Sequence, residues 1–406
     1  MKGLHLEGTH HSQYLFIHGN YSSWAYSGYK GSVHHDPNDV GSGQFPTLRH
    51  FLFQSEEIMN EINRVGIKKV VCGDNHTFIL LNDGRAFGNG WNEYTQLLTK
   101  KIAPKSNQRD QLVKADIDHI EDIYCGANFT YCLVKGTDGF EMYSAGWNNE
   151  SCCSQGIGSS DTFRKIGRVY YSDGNGQQKF PPPNETVIDV RCGGSNAAVL
   201  TYDIISNTYY LSHSGSFDKL SNNPKPGVLY RTVLPKGFAF CGMSLVGNSV
   251  YQIYLHTANS TYDVALKECN KDCAQINRRY CINRNGKLAL FPSYSNNTVP
   301  DVTFKAFTLR NKMMAVADDG NVYIDSDSSY ERNMLQLDFL PLLSVSDRYK
   351  FQTNPSNFDV SVCAGEEVGF IMIKKSGEKG MIFKERLLNQ INSNNPFVDC
   401  IMNIRD

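Results

Sequence analysis

Two stretches of this chain repeat one another at their key points. Val71-Cys72-Gly73-Asp74-Asn75-His76-Thr77 leads through Asp83-Gly84 to Gly90-Trp91-Asn92, and Tyr124-Cys125-Gly126-Ala127-Asn128-Phe129-Thr130 leads through Asp138-Gly139 to Gly146-Trp147-Asn148. Cys72 and Cys125 stand 53 positions apart. Self-similarity at a period near fifty predicts a repeat architecture, in which each unit buries its apolar face against the next.

Each unit reads as β structure. A short run ends at Cys-Gly, where glycine permits a tight reversal. The next run, Thr77 to Leu81, is largely apolar, as in a buried strand. Asp-Gly then suits a hairpin turn that visits positive φ, and a third run reaches Gly-Trp-Asn. Frequent glycine (34) and abundant Tyr and Phe (22 each) fit many short strands joined by turns.

Fainter copies extend the series. Cys192-Gly193, Cys241-Gly242 and Cys363-Ala364-Gly365 align with Cys72-Gly73. Asn285-Gly286, Asp319-Gly320 and Ser376-Gly377 align with Asp83-Gly84, and the first two place Arg278 and Lys312 at the position of His76. Setting His18-Gly19 on Asp83-Gly84 puts Gly8 on Gly73, His11 on His76 and Ala25-Tyr26-Ser27 on Gly90-Trp91-Asn92. Eight starts result, near residues 8, 73, 126, 193, 242, 275, 309 and 365. The spacings at 242, 275 and 309 are short for four strands. The expectation is therefore seven blades, with two weak starts sharing one blade or split by ring closure.

The predicted fold is all-β: a seven-bladed β-propeller of antiparallel four-stranded blades, one domain over 1–406. Its clear repeats lie at 70–98 and 123–148, and its weaker ones near 8–28, 190–215, 238–255, 272–292, 304–325 and 360–377. The run Val360 to Ile373 is expected to pair with N-terminal strands, because an open ring would expose two sheet edges. Polar loops are expected at 99–111, 172–183 and 221–226, and the Asn-rich tail 389–395 is expected to fray.

A net charge of −1 gives no electrostatic case for nucleic acid or an anionic membrane. No run of eighteen apolar residues occurs, and Met1 to Glu7 lacks the apolar core of a secretory signal. An intracellular location, cytoplasmic or nuclear, with reduced cysteines is the expectation. Cys72, Cys125, Cys192, Cys241 and Cys363 recur at one repeat position and read as small buried hydrophobes. Cys152-Cys153 reads as two free thiols. Cys269 and Cys273, with Cys281 and His256, lack the tightly paired couples of a zinc site. No phosphate-binding loop, nucleophile elbow, zincin or dinucleotide fingerprint is present. No metal, cofactor or catalytic residue is assigned.

The pattern V-x-C-G-x-x-H-T-x-x-L-x-x-D-G, followed by Asn92-Glu93-Tyr94-Thr95-Gln96-Leu97-Leu98, resembles the repeat of the regulator of chromosome condensation family, with Thr95 and Leu98 in place of its two glycines. The resemblance implies a seven-bladed propeller. Its founding member exchanges guanine nucleotide on the small GTPase Ran through acidic and histidine residues in the G-x-x-H turns. Other members are scaffolds, ligase recognition modules or photoreceptors. Carried over by position, the candidate partner-binding residues are Asp74, Asn75 and His76, then Asn128 and Phe129, then Ser195 and Asn196. The acid is kept only at Asp74; Ala127 stands at its place in the next unit. The basic N-terminal tail of the chromatin-bound member is not seen. Trp91 and Trp147 are expected to pack at blade ends. The expected function is protein binding by a monomeric scaffold or regulatory propeller, the alternative being exchange on a Ran-like GTPase.

Overall fold

The structure is a computed structural model. It describes residues 13–20, 44–50 and 56–375, apart from 75, 101–111, 138, 149–150, 157–165, 173–175, 216–226, 248–250, 271–272, 277–279, 291–300, 309–312, 326–333 and 366–367. Asn75, Gly8, His11, Ala25-Tyr26-Ser27, Arg278, Lys312, Ser376-Gly377, most of the first and third expected loops and the Asn-rich tail lie outside these residues.

Strands β1 (Gln13–Asn20) and β2 (Gln44–His50) precede helix α1 (Glu56–Val65). Blade 1 is β3 (Ile67–Cys72), β4 (His76–Leu81), β5 (Ala86–Gly90) and β6 (Val113–Lys114). Blade 2 is β7 (Ile120–Cys125), β8 (Phe129–Lys135), β9 (Phe140–Gly146) and β10 (Gly167–Arg168). A hairpin, β11 (Tyr170–Ser172) and β12 (Gln177–Lys179), then leads into blade 3: β13 (Glu185–Gly193), β14 (Asn196–Asp203), β15 (Thr208–Ser214) and β16 (Leu229–Val233). Blade 4 is β17 (Phe240–Gly247), β18 (Tyr251–Thr257), β19 (Thr261–Asp263) and β20 (Glu268–Asn270). Among the described residues blade 5 shows three strands, β21 (Cys273–Ile276), β22 (Tyr280–Asn283) and β23 (Leu288–Leu290). Blade 6 is β24 (Phe304–Phe307), β25 (Met314–Ala317), β26 (Val322–Asp325) and β27 (Met334–Leu337). Helix α2 (Val345–Thr353) then leads to β28 (Phe358–Ala364) and β29 (Val368–Lys375).

The closing sheet runs β2-β1-β29-β28, so two N-terminal and two C-terminal strands complete one blade. Seven sheets thus make the ring among the described residues. Ring closure by the chain ends follows the sequence expectation, but the N-terminal alignment is corrected. Seven pairs from Gln13↔Lys374 to Gly19↔Val368 hold β1 in the third-strand place, equivalent to β5 rather than β4. His18-Gly19 therefore lies inside a strand and is no turn.

Uniform four-stranded blades are also corrected. The β11–β12 hairpin widens the blade 3 sheet to six strands, through a parallel pairing of β11 with β16. Starts 242, 275 and 309 share no blade. Each has its own sheet: blade 4 shortens its two outer strands to three residues, and blades 5 and 6 use strands of three to four residues.

A structural repeat persists where the sequence repeat fades. The first strand of each of blades 1 to 6 carries a register shift, at Ile67/Lys69, Ile120/Asp122, Val187/Asp189, Phe240/Gly242, Cys273/Gln275 and Phe304/Ala306. A bulge adds one residue and bends its strand. Cys241 is that extra residue in blade 4. Cys241-Gly242 therefore stands at the beginning of β17 and is not the counterpart of Cys72-Gly73, which ends β3.

The core is a series of layers between blades. Phe78 and Leu80 of blade 1 meet Ile123 and Cys132 of blade 2. Tyr131 and Leu133 of blade 2 meet Val190 and Val199 of blade 3. Second strands are sandwiched and buried along their length, as in HTFILL at 76–81, which is why they read as continuous apolar runs. The first strands contact one another around the axis, β28 with β3, β3 with β7 and β7 with β13.

Both helices sit beside the closing blade. Ile58, Met59, Ile62 and Val65 recur at helical spacing, and that face of α1 packs against Leu15, Ile17, Val70 and Phe370. Ser344 caps α2 by accepting the Asp347 N–H at 3.1 Å. The Asp347 carboxylate accepts from Tyr14 Oη at 2.6 Å and pairs with Lys375 Nζ at 2.9 Å. Burial works to raise Asp347, but the Tyr14 and Lys375 hydrogen bonds outweigh it and hold the carboxyl below its ordinary value. Burial, then Asp347, pushes Tyr14 up to about 12, so its hydroxyl remains a donor. This network ties β1, β29 and α2 together at the ring closure.

Candidate functional site

The turns leaving β3, β7 and β13 emerge at one end of the ring, together with the loops leaving β5 and β9. Each first turn closes on itself: Gly73 N–H donates to His76 O and Gly126 N–H to Phe129 O, both at 2.7 Å. The fourth residue folds its ring back over the glycine. A Cβ at Gly73 would lie 2.4 Å from the His76 ring, and one at Gly126 only 1.8 Å from the Phe129 ring. His76 and Phe129 thus do the same packing work, and Gly-x-x-ring is a folding motif.

Neighbouring turns are joined by backbone. Asp74 N–H donates to Ala127 O at 3.1 Å, and Ala127 N–H to Gly194 O at 3.0 Å. The sequence-predicted positions are therefore brought together at the mouth of the ring, although their side chains separate into two groups. His76 is fully buried, and Phe129 and Asn196 nearly so. His76 Nε2 stands 2.8 Å from Thr130 Oγ1, whose own proton goes to Gln96 O. His76 Nε2 is therefore the donor, and the ring is held in one tautomer. Asp74, Asn128 and Ser195 remain partly exposed.

The sequence reading missed an aromatic rim beside these turns. Trp147 is 36% exposed, which corrects the expectation that both tryptophans pack away. Tyr94 links the two, its ring centroid 5.2 Å from Trp91 (edge-on) and 5.8 Å from Trp147 (stacked). Glu93 is exposed on the same loop.

The two rim loops have one construction. Asn92 Oδ1 accepts from Leu97 N–H, and Asn148 Oδ1 from Cys153 N–H, each at 2.8 Å. Thr95 and Leu98, at the family's glycine positions, still take left-handed backbone with φ of 61° and 53°. Ser151 and Ser154 do the same at 58° and 50°. The left-handed turn geometry is held here by non-glycine residues. The available signal was the second Gly-Trp-Asn followed by a like-spaced Ser151 and Ser154.

Gly146 stations Trp147. Its φ is +130°, and a Cβ there would meet Phe129 Cα at 2.3 Å and Asn128 O at 2.4 Å. Gly146→Ala is expected to cost about 2 kcal/mol of stability, from strain plus displaced backbone. Urea unfolding checks this, and an unchanged midpoint would show that the turn accommodates the methyl group.

Among the described residues, no three of His, Cys, Asp and Glu gather as a metal site. Cys269 is exposed on β20, whereas Cys273 is buried in β21. Cys152 and Cys153 are buried thiols that donate to Trp147 O at 3.0 Å and Gly146 O at 3.7 Å. No helix of the described residues is long and apolar enough to cross a membrane.

A model of the Regulator of chromosome condensation (RCC1) repeat matches residues 67–96. No curated protein matches the chain. Among solved structures, human WBSCR16 superposes with a TM-score of 0.58 at 12% identity, over 90% of this chain and 100% of that one. Prp20p from Saccharomyces cerevisiae, reported with its binding properties to Gsp1p and histones, matches with a TM-score of 0.44 at 10% identity, over 96% and 97%. The crystal structure of Kap60 bound to yeast RCC1 (Prp20) matches with a TM-score of 0.45 at 11% identity, over 96% and 94%.

Proposed function

We propose that this chain, a propeller of the regulator of chromosome condensation family, is an intracellular, monomeric interaction module. It holds a protein partner on the end of the ring formed by Trp91, Tyr94 and Trp147 with Asp74, Asn128 and Ser195. The observation that carries this reading is the aromatic trio joined through Tyr94, with Trp147 exposed and Trp91 and Tyr94 half-buried. Tryptophan and tyrosine offer large contact area with few rotamers to freeze, and they are enriched among residues that dominate binding energy. Asp74 and Glu93 put carboxylates at its border, which favours a partner surface combining apolar and basic groups. Nothing in this reading requires covalent chemistry.

The test is affinity capture from cells that make the protein, followed by direct titration of the recovered partner. Trp147→Ala is expected to weaken binding by about 10- to 100-fold, as truncation of a central aromatic does. Asp74→Ala is expected to weaken it less. Equal binding by Trp147→Ala and wild type would remove this face from consideration.

Nucleotide exchange on a small GTPase is the second reading, favoured by the partly exposed Asp74 at the mouth. It demands accelerated release of labelled guanine nucleotide, abolished by Asp74→Ala. Release at the unassisted rate would end it.

A further inference from the structure

We infer that Cys72 and Cys363 form an oxidative modification site, a dithiol that a low-molecular-weight disulfide such as oxidised glutathione converts to a cross-link. Their Sγ atoms lie 3.1 Å apart. A disulfide bond is about 2.05 Å long, so the sulfurs need to approach by only about 1 Å. The two residues belong to different blades, Cys72 ending β3 and Cys363 lying in β28. These strands flank the seam where the ring closes.

The pair is buried but not sealed. Cys72 is 5% exposed and Cys363 is intermediate. Cys363 lines a cleft of about 270 Å³ with Lys69 and Lys374, which gives an oxidant a way in. Burial, then Cys72 and Cys125, pushes the Cys363 thiol up against the pull of the Lys69 ammonium. The thiolate is the reactive species, so the reaction quickens as pH rises.

The step balances with the oxidant named. One protein thiolate attacks a sulfur of the oxidant, forming a mixed disulfide and expelling one glutathione thiolate. The second protein thiolate attacks the protein sulfur of that mixed disulfide and expels the other. Two protein thiols lose two protons and two electrons, one S–S bond forms, and the oxidant is reduced to two thiols.

The cross-link joins residues 291 positions apart and adds a covalent bond to an interface between blade 1 and the closing blade that is otherwise held by apolar packing and hydrogen bonds. Long loops gain most from such a constraint, and an increase in Tm of about 5 °C is expected.

The full chain is incubated with oxidised glutathione, alkylated, and mapped by mass spectrometry without reduction. The expected result is a linked pair of peptides containing Cys72 and Cys363, with a higher Tm that reductant reverses. Cys72→Ser and Cys363→Ser each lose the link, and Cys125→Ser keeps it. Should either serine variant fold poorly, the wild-type peptide map alone decides. Linkage of Cys72 to Cys125, glutathione adducts without a link, or two alkylated thiols would each overturn the assignment.

Discussion

Replacing Glu185 by alanine is expected to cost about 3–5 kcal/mol of folding stability, the usual result of stripping one partner from a buried ion pair. Glu185 opens β13, the first strand of blade 3. Its carboxylate is bonded by Arg231 from β16 and by Thr201 Oγ1 from β14 at 2.7 Å. The Glu185 and Arg231 side chains are only 3% and 10% exposed. The guanidinium carbon lies 3.6 Å from the Tyr210 ring centroid and 5.0 Å from that of Tyr171. Without the carboxylate, a cation stays in a largely dry site with two aromatic faces as company, worth at most about 2 kcal/mol each. Glu185→Gln keeps the volume and part of the hydrogen bonding, so a smaller loss is expected. Urea unfolding of both variants measures the difference. A loss below about 1 kcal/mol for the alanine variant would mean that the pair behaves like a solvated one.

Acid is expected to destabilise the fold well before the carboxylates protonate. Burial pushes His213 down to about 4, and burial with the nearby Arg191 does the same to His256. The hydrogen bonds at His256 specify the neutral ring. Thr261 Oγ1 gives its proton to Cys273 O and so accepts from Nδ1 at 2.9 Å, leaving Nε2 to accept from Ser244 Oγ at 2.7 Å. The unfolded chain has ordinary histidines near 6.5. Above that pH neither state binds the proton, and the two residues contribute no pH dependence. From 6.5 down to 4 the unfolded state takes up protons that the native state refuses, so stability falls. Below 4 the native rings protonate too, and the loss is complete at about 3 kcal/mol per histidine. Between pH 6.5 and 5 the slope should approach 2–3 kcal/mol per pH unit for the pair. Chemical denaturation at stepped pH gives that slope, and His256→Gln should roughly halve it. A flat profile over this window would contradict both burial shifts.

How much was legible in the sequence follows from strand length and turn chemistry. Blades 1 and 2 could be read because their strands run five to seven residues between Cys-Gly and Asp-Gly. Blades 5 and 6 keep their second turns: Asn285-Gly286 and Asp319-Gly320 do stand as Asp83-Gly84 does, each glycine at positive φ. Their strands of three or four residues are too short to show a period. The closing blade was misaligned because its strands leave chain order, and a third strand has no turn to anchor it. Cys241 misled because a bulge residue resembled a strand-end cysteine. For the candidate site, the sequence pointed to turns that lie together at one end of the ring, but to side chains of mixed exposure. His76 and Phe129 are there for the glycine beneath them. Trp147 was missed because spacing along a loop carries no record of which side faces water.

The closing blade has a consequence for how the molecule is made. Strand β1 pairs with β29, so residue 13 waits for residue 374. At roughly 5–20 residues per second on the ribosome, that wait lasts on the order of 20–70 s. Throughout it, Tyr14, Leu15, Phe16 and Ile17, all buried in the finished ring, lack β29, one of the two strands that flank β1. Strand β1 is thus fully paired only when β29 has been made. A translational pause or a nascent-chain chaperone would act first on these four residues.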